Sequence, residues 1–72
     1  MEKHYWRIDV PGSQGYSFAI KSNDTTESDA IESASDAGLF DDPRDCNYAS
    51  AEDITDDDYE MSHWSKDATV IP

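Results

Sequence analysis

Basic residues are scarce in this sequence: five Lys and Arg stand against seventeen Asp and Glu, for a formal net charge of −12. A surface so short of positive charge repels nucleic acid and anionic lipid, so neither is expected as a direct partner. Cysteine is almost missing too. Cys46 alone cannot form an internal disulfide, which fits a reducing compartment or one where thiols do not matter. No apolar run approaches the ~20 residues of a membrane helix, and Met1-Glu2-Lys3-His4-Tyr5-Trp6-Arg7 does not read as an apolar signal region. His4, His63 and Cys46 lack the paired CxxC or HxxxH spacing that a zinc site needs, so no metal or cofactor is expected. A catalytic motif is also absent, and a chain of 72 residues with so thin a core can hardly wall the pocket that raises a carboxyl pKa for acid and base chemistry.

What the chain does have is enough apolar material for one small domain over residues 1–72. The core candidates are Tyr5, Trp6, Ile8, Val10, Tyr16, Phe18, Ile20, Ile31, Leu39, Phe40, Tyr48, Ile54, Tyr59, Met61 and Trp64. An apolar content of 36% with this charge sits near the disordered class. Two Trp, four Tyr and two Phe argue for a fold.

Period-two alternation predicts a strand over about Tyr5 to Val10 and a second over Tyr16 to Lys21, joined by the turn cluster Pro11-Gly12-Ser13-Gln14-Gly15 as a β-hairpin. Any of Asn23, Asp24, Thr25 and Thr26 could cap a helix running to about Ala37, Thr26 with Asp29 approximating a capping box, and Gly38 would end it in the left-handed conformation with Leu39 as the accompanying apolar contact. At 100° per residue, Ala30, Ile31, Ala34 and Ala37 share one arc of that helix, and Asp29, Glu32 and Asp36 share the opposite one. Asp41 to Asp45 reads as a loop broken by Pro43. Ser50 reads as the cap of a single helical turn anchored by Ile54, and Tyr59 to Trp64 as a third strand. Residues 66–72 read as a loose tail in which Thr69, Val70 and Ile71 could add edge pairing. The expected fold is therefore α+β in ββααβ order: a three-stranded antiparallel sheet from the N-terminal hairpin and a C-terminal strand, with one main acidic helix and a short second one.

The charge is unevenly placed. Asp24, Glu27, Asp29, Glu32, Asp36, Asp41, Asp42, Asp45, Glu52, Asp53, Asp56, Asp57, Asp58 and Glu60 lie in one segment with Arg44 as its single base, a balance of −13; the rest of the chain carries Glu2, Asp9 and Asp67 against Lys3, Arg7, Lys21 and Lys66, a balance of +1. Asp56, Asp58 and Glu60 fail the calcium-loop pattern, since the sixth position counted from Asp56 is Met61 instead of glycine and the twelfth is Asp67 instead of glutamate. Solubilisation and salt adaptation both predict acids spread over the whole surface, whereas here the hairpin is nearly neutral. Glu32 and Asp36 form a like-charged i,i+4 pair, and Asp36 sits toward the negative end of the helix dipole, so local stability does not explain them. Duplex DNA presents about one charge per 1.7 Å of axis to the Lys and Arg of its binding proteins. A rigid stripe of acids one helical turn apart, ~5.4 Å, matches that kind of groove.

A small domain with a hairpin over Tyr5 to Ile20, an acidic helix over Thr26 to Ala37 and an Asp-rich second half resembles the small DNA-mimic inhibitors carried by phages and mobile elements, including anti-CRISPR proteins and, more distantly, anti-restriction proteins. The resemblance implies a monomeric, non-enzymatic inhibitor in the bacterial cytoplasm. Its partner would be the basic DNA-binding surface of a CRISPR effector such as a Cascade-type surveillance complex, with the fourteen acids named above as phosphate surrogates. The alternatives are an acidic adaptor or antitoxin-like module that neutralises a basic protein unrelated to DNA, a merely solubilising surface, and an enzyme or metal-binding domain.

Overall fold

The computed structural model describes residues 3–72. The elements are β1 (His4–Val10), β2 (Tyr16–Ser22), α1 (Glu27–Asp36), a 3₁₀ turn (Pro43–Asn47), β3 (Ser50–Asp53), α2 (Asp58–Trp64), a second 3₁₀ turn (Ser65–Asp67) and β4 (Thr69–Val70). The sheet is four-stranded and mixed, in the order β3-β1-β2-β4. The protein is thus α+β, built on the expected hairpin and main helix.

The hairpin forms because its alternating residues sort onto two faces. Trp6, Ile8 and Val10 stand opposite Ile20, Phe18 and Tyr16, while Arg7 stands opposite Ala19. The turn depends on Gly15, where a Cβ would meet the Val10 carbonyl oxygen at 2.5 Å. Helix α1 starts where Thr26 Oγ1 accepts the Asp29 N–H at 3.3 Å. It ends where Gly38, at φ 71°, lets the Leu39 N–H reach back to the Ala34 carbonyl at 3.1 Å. Ala30 and Ala34 are fully buried and pack with Trp6, Ile8, Val10, Ile20 and Phe40 in the main core. Phe18 meets the Phe40 ring edge-on at 5.4 Å. Small residues on the inner arc bring α1 close to the sheet.

The other face of the sheet holds Arg7, Ala19 and Ile54. The Ile54 N–H donates to the Tyr5 carbonyl at 2.9 Å, extending the β1–β3 pairing and placing Ile54 on the Tyr5 and Arg7 side. Ala19 and Ile54 are nearly inaccessible yet stand apart from the main core. Helix α2 brings Glu60 to this second face.

Two of the expected elements are corrected here. Ser50 to Asp53 is not a helical turn but the edge strand β3, antiparallel to β1, because β1 has an edge to pair and Ala51 and Glu52 fall opposite Ile8 and Arg7. Tyr59 to Trp64 is not a third strand but the body of α2. Asp57 Oδ1 caps it by accepting the Glu60 N–H at 3.1 Å, and Glu60, Met61 and Trp64 are half-buried while Tyr59, Ser62 and His63 are exposed, a helical spacing rather than alternation. The tail pairs as well: β4 runs parallel to β2, with Ile20 opposite Thr69 and Lys21 opposite Val70, and Lys3 Nζ donates to the Ile71 carbonyl at 2.6 Å. The order is therefore ββαβαβ. Tyr48 and Tyr59, expected in the core, are 69% and 80% exposed.

Candidate functional site

The fold sorts the fourteen carboxylates of the acidic segment into two sets. Eight have a bond inside the molecule. Glu52 Oε2 and Glu60 Oε1 accept from the Arg7 guanidinium at 2.7 and 2.6 Å, and Asp9 Oδ2 accepts from its Nε at 3.1 Å. One cation thus ties β1, β3 and α2 together, and these contacts raise the already high pKa of Arg7, the Asp9 hydrogen bond first. Asp53 accepts from the Thr55 hydroxyl at 2.6 Å and the Thr55 N–H at 3.0 Å, and faces His4 Nδ1 at 2.9 Å. Partial burial acts to raise the Asp53 pKa, but the Thr55 hydrogen bonds and then His4 outweigh it and leave the group below its ordinary value.

The other members of this set fasten turns and edges. Asp42 accepts from the Arg44 guanidinium and N–H and opens the first 3₁₀ turn; both contacts lower its pKa, the side-chain one most. Asp45 Oδ2 accepts from the Tyr16 hydroxyl at 2.7 Å, and the Tyr16 oxygen in turn accepts the Asp41 N–H at 2.8 Å. Desolvation first, and then this bond to Asp45, push the Tyr16 pKa up. Glu27 Oε2 accepts the Ala51 N–H at 2.9 Å and occupies a backbone donor of the edge strand β3. Asp24 Oδ2 accepts from the buried Ser22 hydroxyl at 2.6 Å, and Asp57 caps α2.

The remaining six carboxylates, those of Asp29, Glu32, Asp36, Asp41, Asp56 and Asp58, have no hydrogen-bond or ion-pair partner among the described residues, and all six residues are exposed. Asp29, Glu32 and Asp36 stand on the outward arc of α1, whose last turn carries no base. Asp41 lies beside the first 3₁₀ turn, and Asp56 and Asp58 flank the start of α2. Asp41 also borders, with Asp42 and Asp45, an open cleft of about 450 Å³ against the hairpin loop. The sequence could not make this division, because the bonds that remove Glu52 and Glu60 from the free set join residues 45 and 53 positions apart.

The two exposed tyrosines are what the sequence reading missed about the surface. The flanking acids were the available signal, since Tyr59 directly follows Asp56, Asp57 and Asp58. His4, His63 and Cys46 have separate surroundings: His4 on Asp53, His63 edge-on to Trp64 at 5.0 Å, and Cys46 half-buried against the core. Among the described residues no cluster of three or more His, Cys, Asp or Glu is arranged to hold a metal ion, and no helix is long and apolar enough to cross a membrane. Chemically, the arrangement presents fixed negative charge on an ordered scaffold. No protein-family model, curated protein or solved structure matches the chain.

Proposed function

We propose that this protein is a non-enzymatic inhibitor acting as a DNA mimic: its outward carboxylates occupy the basic DNA-binding groove of a bacterial protein complex, with a Cascade-type CRISPR effector as the leading target class, and exclude the DNA. The observation that carries the reading is the set of six exposed carboxylates without a partner among the described residues, three of them on one arc of α1. The outward arc of α1 gains no local stability from like charges at i,i+4, so a role outside the molecule accounts for them better. Preorganisation favours the same reading, because charges held on a fold lose less entropy on binding than those of a floppy tail. Complementary charge steers encounter and makes the association sensitive to salt.

A second reading, an acidic adaptor for a basic protein unrelated to DNA, is favoured by the exposed rings of Tyr48 and Tyr59. Tyrosine is enriched at protein interfaces, and phosphate mimicry alone does not call for it. Affinity capture from bacterial lysate separates the two. Under mimicry, short duplex DNA releases a captured nucleic-acid-binding complex; under the adaptor reading, salt releases the partner and duplex DNA does not.

A further inference from the structure

The two outer strands of the sheet, β3 and β4, differ in what their backbones offer. Next to β3, the Ile54 N–H bonds to the Tyr5 carbonyl, so the alternation of an antiparallel ladder turns Glu52 toward β1 and turns the N–H and C=O of Ala51 and Asp53 outward. One of these outward donors is taken: Glu27 Oε2, from the first residue of α1, accepts the Ala51 N–H at 2.9 Å. At β4, the Ile71 N–H bonds to the Lys21 carbonyl at 2.8 Å, and Val70, in register with Lys21, turns its own N–H and C=O away from β2. These two groups have no partner among the described residues, and Val70 is 60% exposed. The edges are also opposite in charge. β3 carries Glu52 and Asp53 with Glu27 beside them, whereas all three lysines of the chain gather at β4: Lys21 opposite Val70, Lys3 on the Ile71 carbonyl, and Lys66 in the turn before the strand.

We propose that the β3 edge is a strand-pairing surface for the β4 edge of a second copy of this chain, and that Glu27 holds it closed. Outward backbone donors and acceptors on an edge strand are a template for another strand. Charge selects the pairing, because β4 against β3 brings lysine to acid while β3 against β3 brings acid to acid. The two surfaces are different, so the contact is head-to-tail, and each added copy presents a fresh edge: association does not close at two copies. An incoming strand must place a carbonyl oxygen where the Glu27 carboxylate already accepts the Ala51 N–H. The side chain thus occupies the bond that pairing needs, and the chain stays monomeric.

The test is analytical ultracentrifugation of the full chain and its variants over a concentration series, at ~0.15 M salt so that repulsion between net charges is screened beyond about 8 Å. The unaltered chain should stay at its monomer mass of 8.1 kDa. Glu27→Ala should raise the average mass at least about twofold and keep raising it with concentration, as mass action requires. Glu27→Gln removes the same charge but keeps an oxygen that accepts the Ala51 N–H, so it should remain monomeric. Glu27 is exposed, so neither change disturbs the core. Adding Val70→Pro to Glu27→Ala deletes the outward donor of β4, leaves the Ile71 bond to Lys21, and should restore the monomer. The proposal is overturned by a monomeric Glu27→Ala, by equal association of Glu27→Gln, by association that stops at two copies, or by association indifferent to Val70→Pro. No binding partner is present and neither residue belongs to the outward carboxylates, so the outcome is independent of the mimicry reading.

Discussion

The two helices use acid in opposite ways. Helix α1 is held by apolar packing, with Ala30 and Ala34 fully buried against the sheet, and the carboxylates of its outward Asp29, Glu32 and Asp36 have no hydrogen-bond or ion-pair partner among the described residues. Helix α2 buries no residue completely; one of its acids, Glu60, is bonded to Arg7, and Asp57 caps its first turn. Where a helix has an apolar footing, its acids other than Glu27 are free for a partner. Where it lacks one, acid is part of the attachment.

Breaking the footing of α1 should have the largest effect. Ala34→Leu forces extra methylenes into a site with no room, at a cost of about 1–3 kcal/mol, which thermal unfolding reads as a drop of roughly 4–8 °C per kcal/mol for a domain of this size. Arg7→Met tests the attachment of α2. It leaves Asp9, Glu52 and Glu60 facing one another without a cation, and because Glu52 is 60% exposed the loss is set near ~1–2 kcal/mol. Hydrogen exchange should show faster opening of α2 with α1 protection preserved; equal loosening of both helices would undo the comparison.

The pH limits are the finest distinction. Asp53 and Asp42 have pKa values below their ordinary 3.8, so the stability they contribute is complete above that value and is lost as pH falls through the depressed folded values. Tyr16 is raised above its ordinary 10.0, so its contribution is complete below pH 10.0 and is lost as pH rises through the folded value. Stability against pH should therefore show an acid limb starting below pH 3.8, softened by His4→Asn, and an alkaline limb above pH 10.0, flattened by Tyr16→Phe, both followed by circular dichroism.

The hairpin and α1 were legible because their signals are local. Alternation from Trp6 to Val10 and from Tyr16 to Ile20, the cap at Thr26 and the left-handed Gly38 each act within a few residues. The second half was not, because its structure is decided at a distance. Ser50 to Asp53 becomes a strand through pairing with β1, overriding the capping signal at Ser50. In residues 59–64 the alternation of Tyr59, Met61 and His63 concealed the helical spacing of Met61 and Trp64. The acids of the candidate site were visible as composition alone; which of them face outward became clear only once Arg7, Thr55, Tyr16 and Ala51 claimed theirs.

The most direct measurement compares the partner affinity of two variants with equal charge change, by calorimetry against the captured complex. One carries Asp29→Asn, Glu32→Gln and Asp36→Asn on the outward arc of α1; the other carries Glu27→Gln, Glu52→Gln and Glu60→Gln at internally bonded positions. Equal net charge removes long-range attraction as the explanation of any difference. The account predicts that the first variant keeps its stability, or gains a few tenths of a kcal/mol from relieved i,i+4 repulsion, and binds at least about tenfold more weakly, a loss of ~1.4 kcal/mol. The second should lose stability while the folded fraction binds nearly as before. Undiminished binding by the first variant, or equal weakening in both, would contradict the claim that the outward carboxylates of α1 form the binding surface.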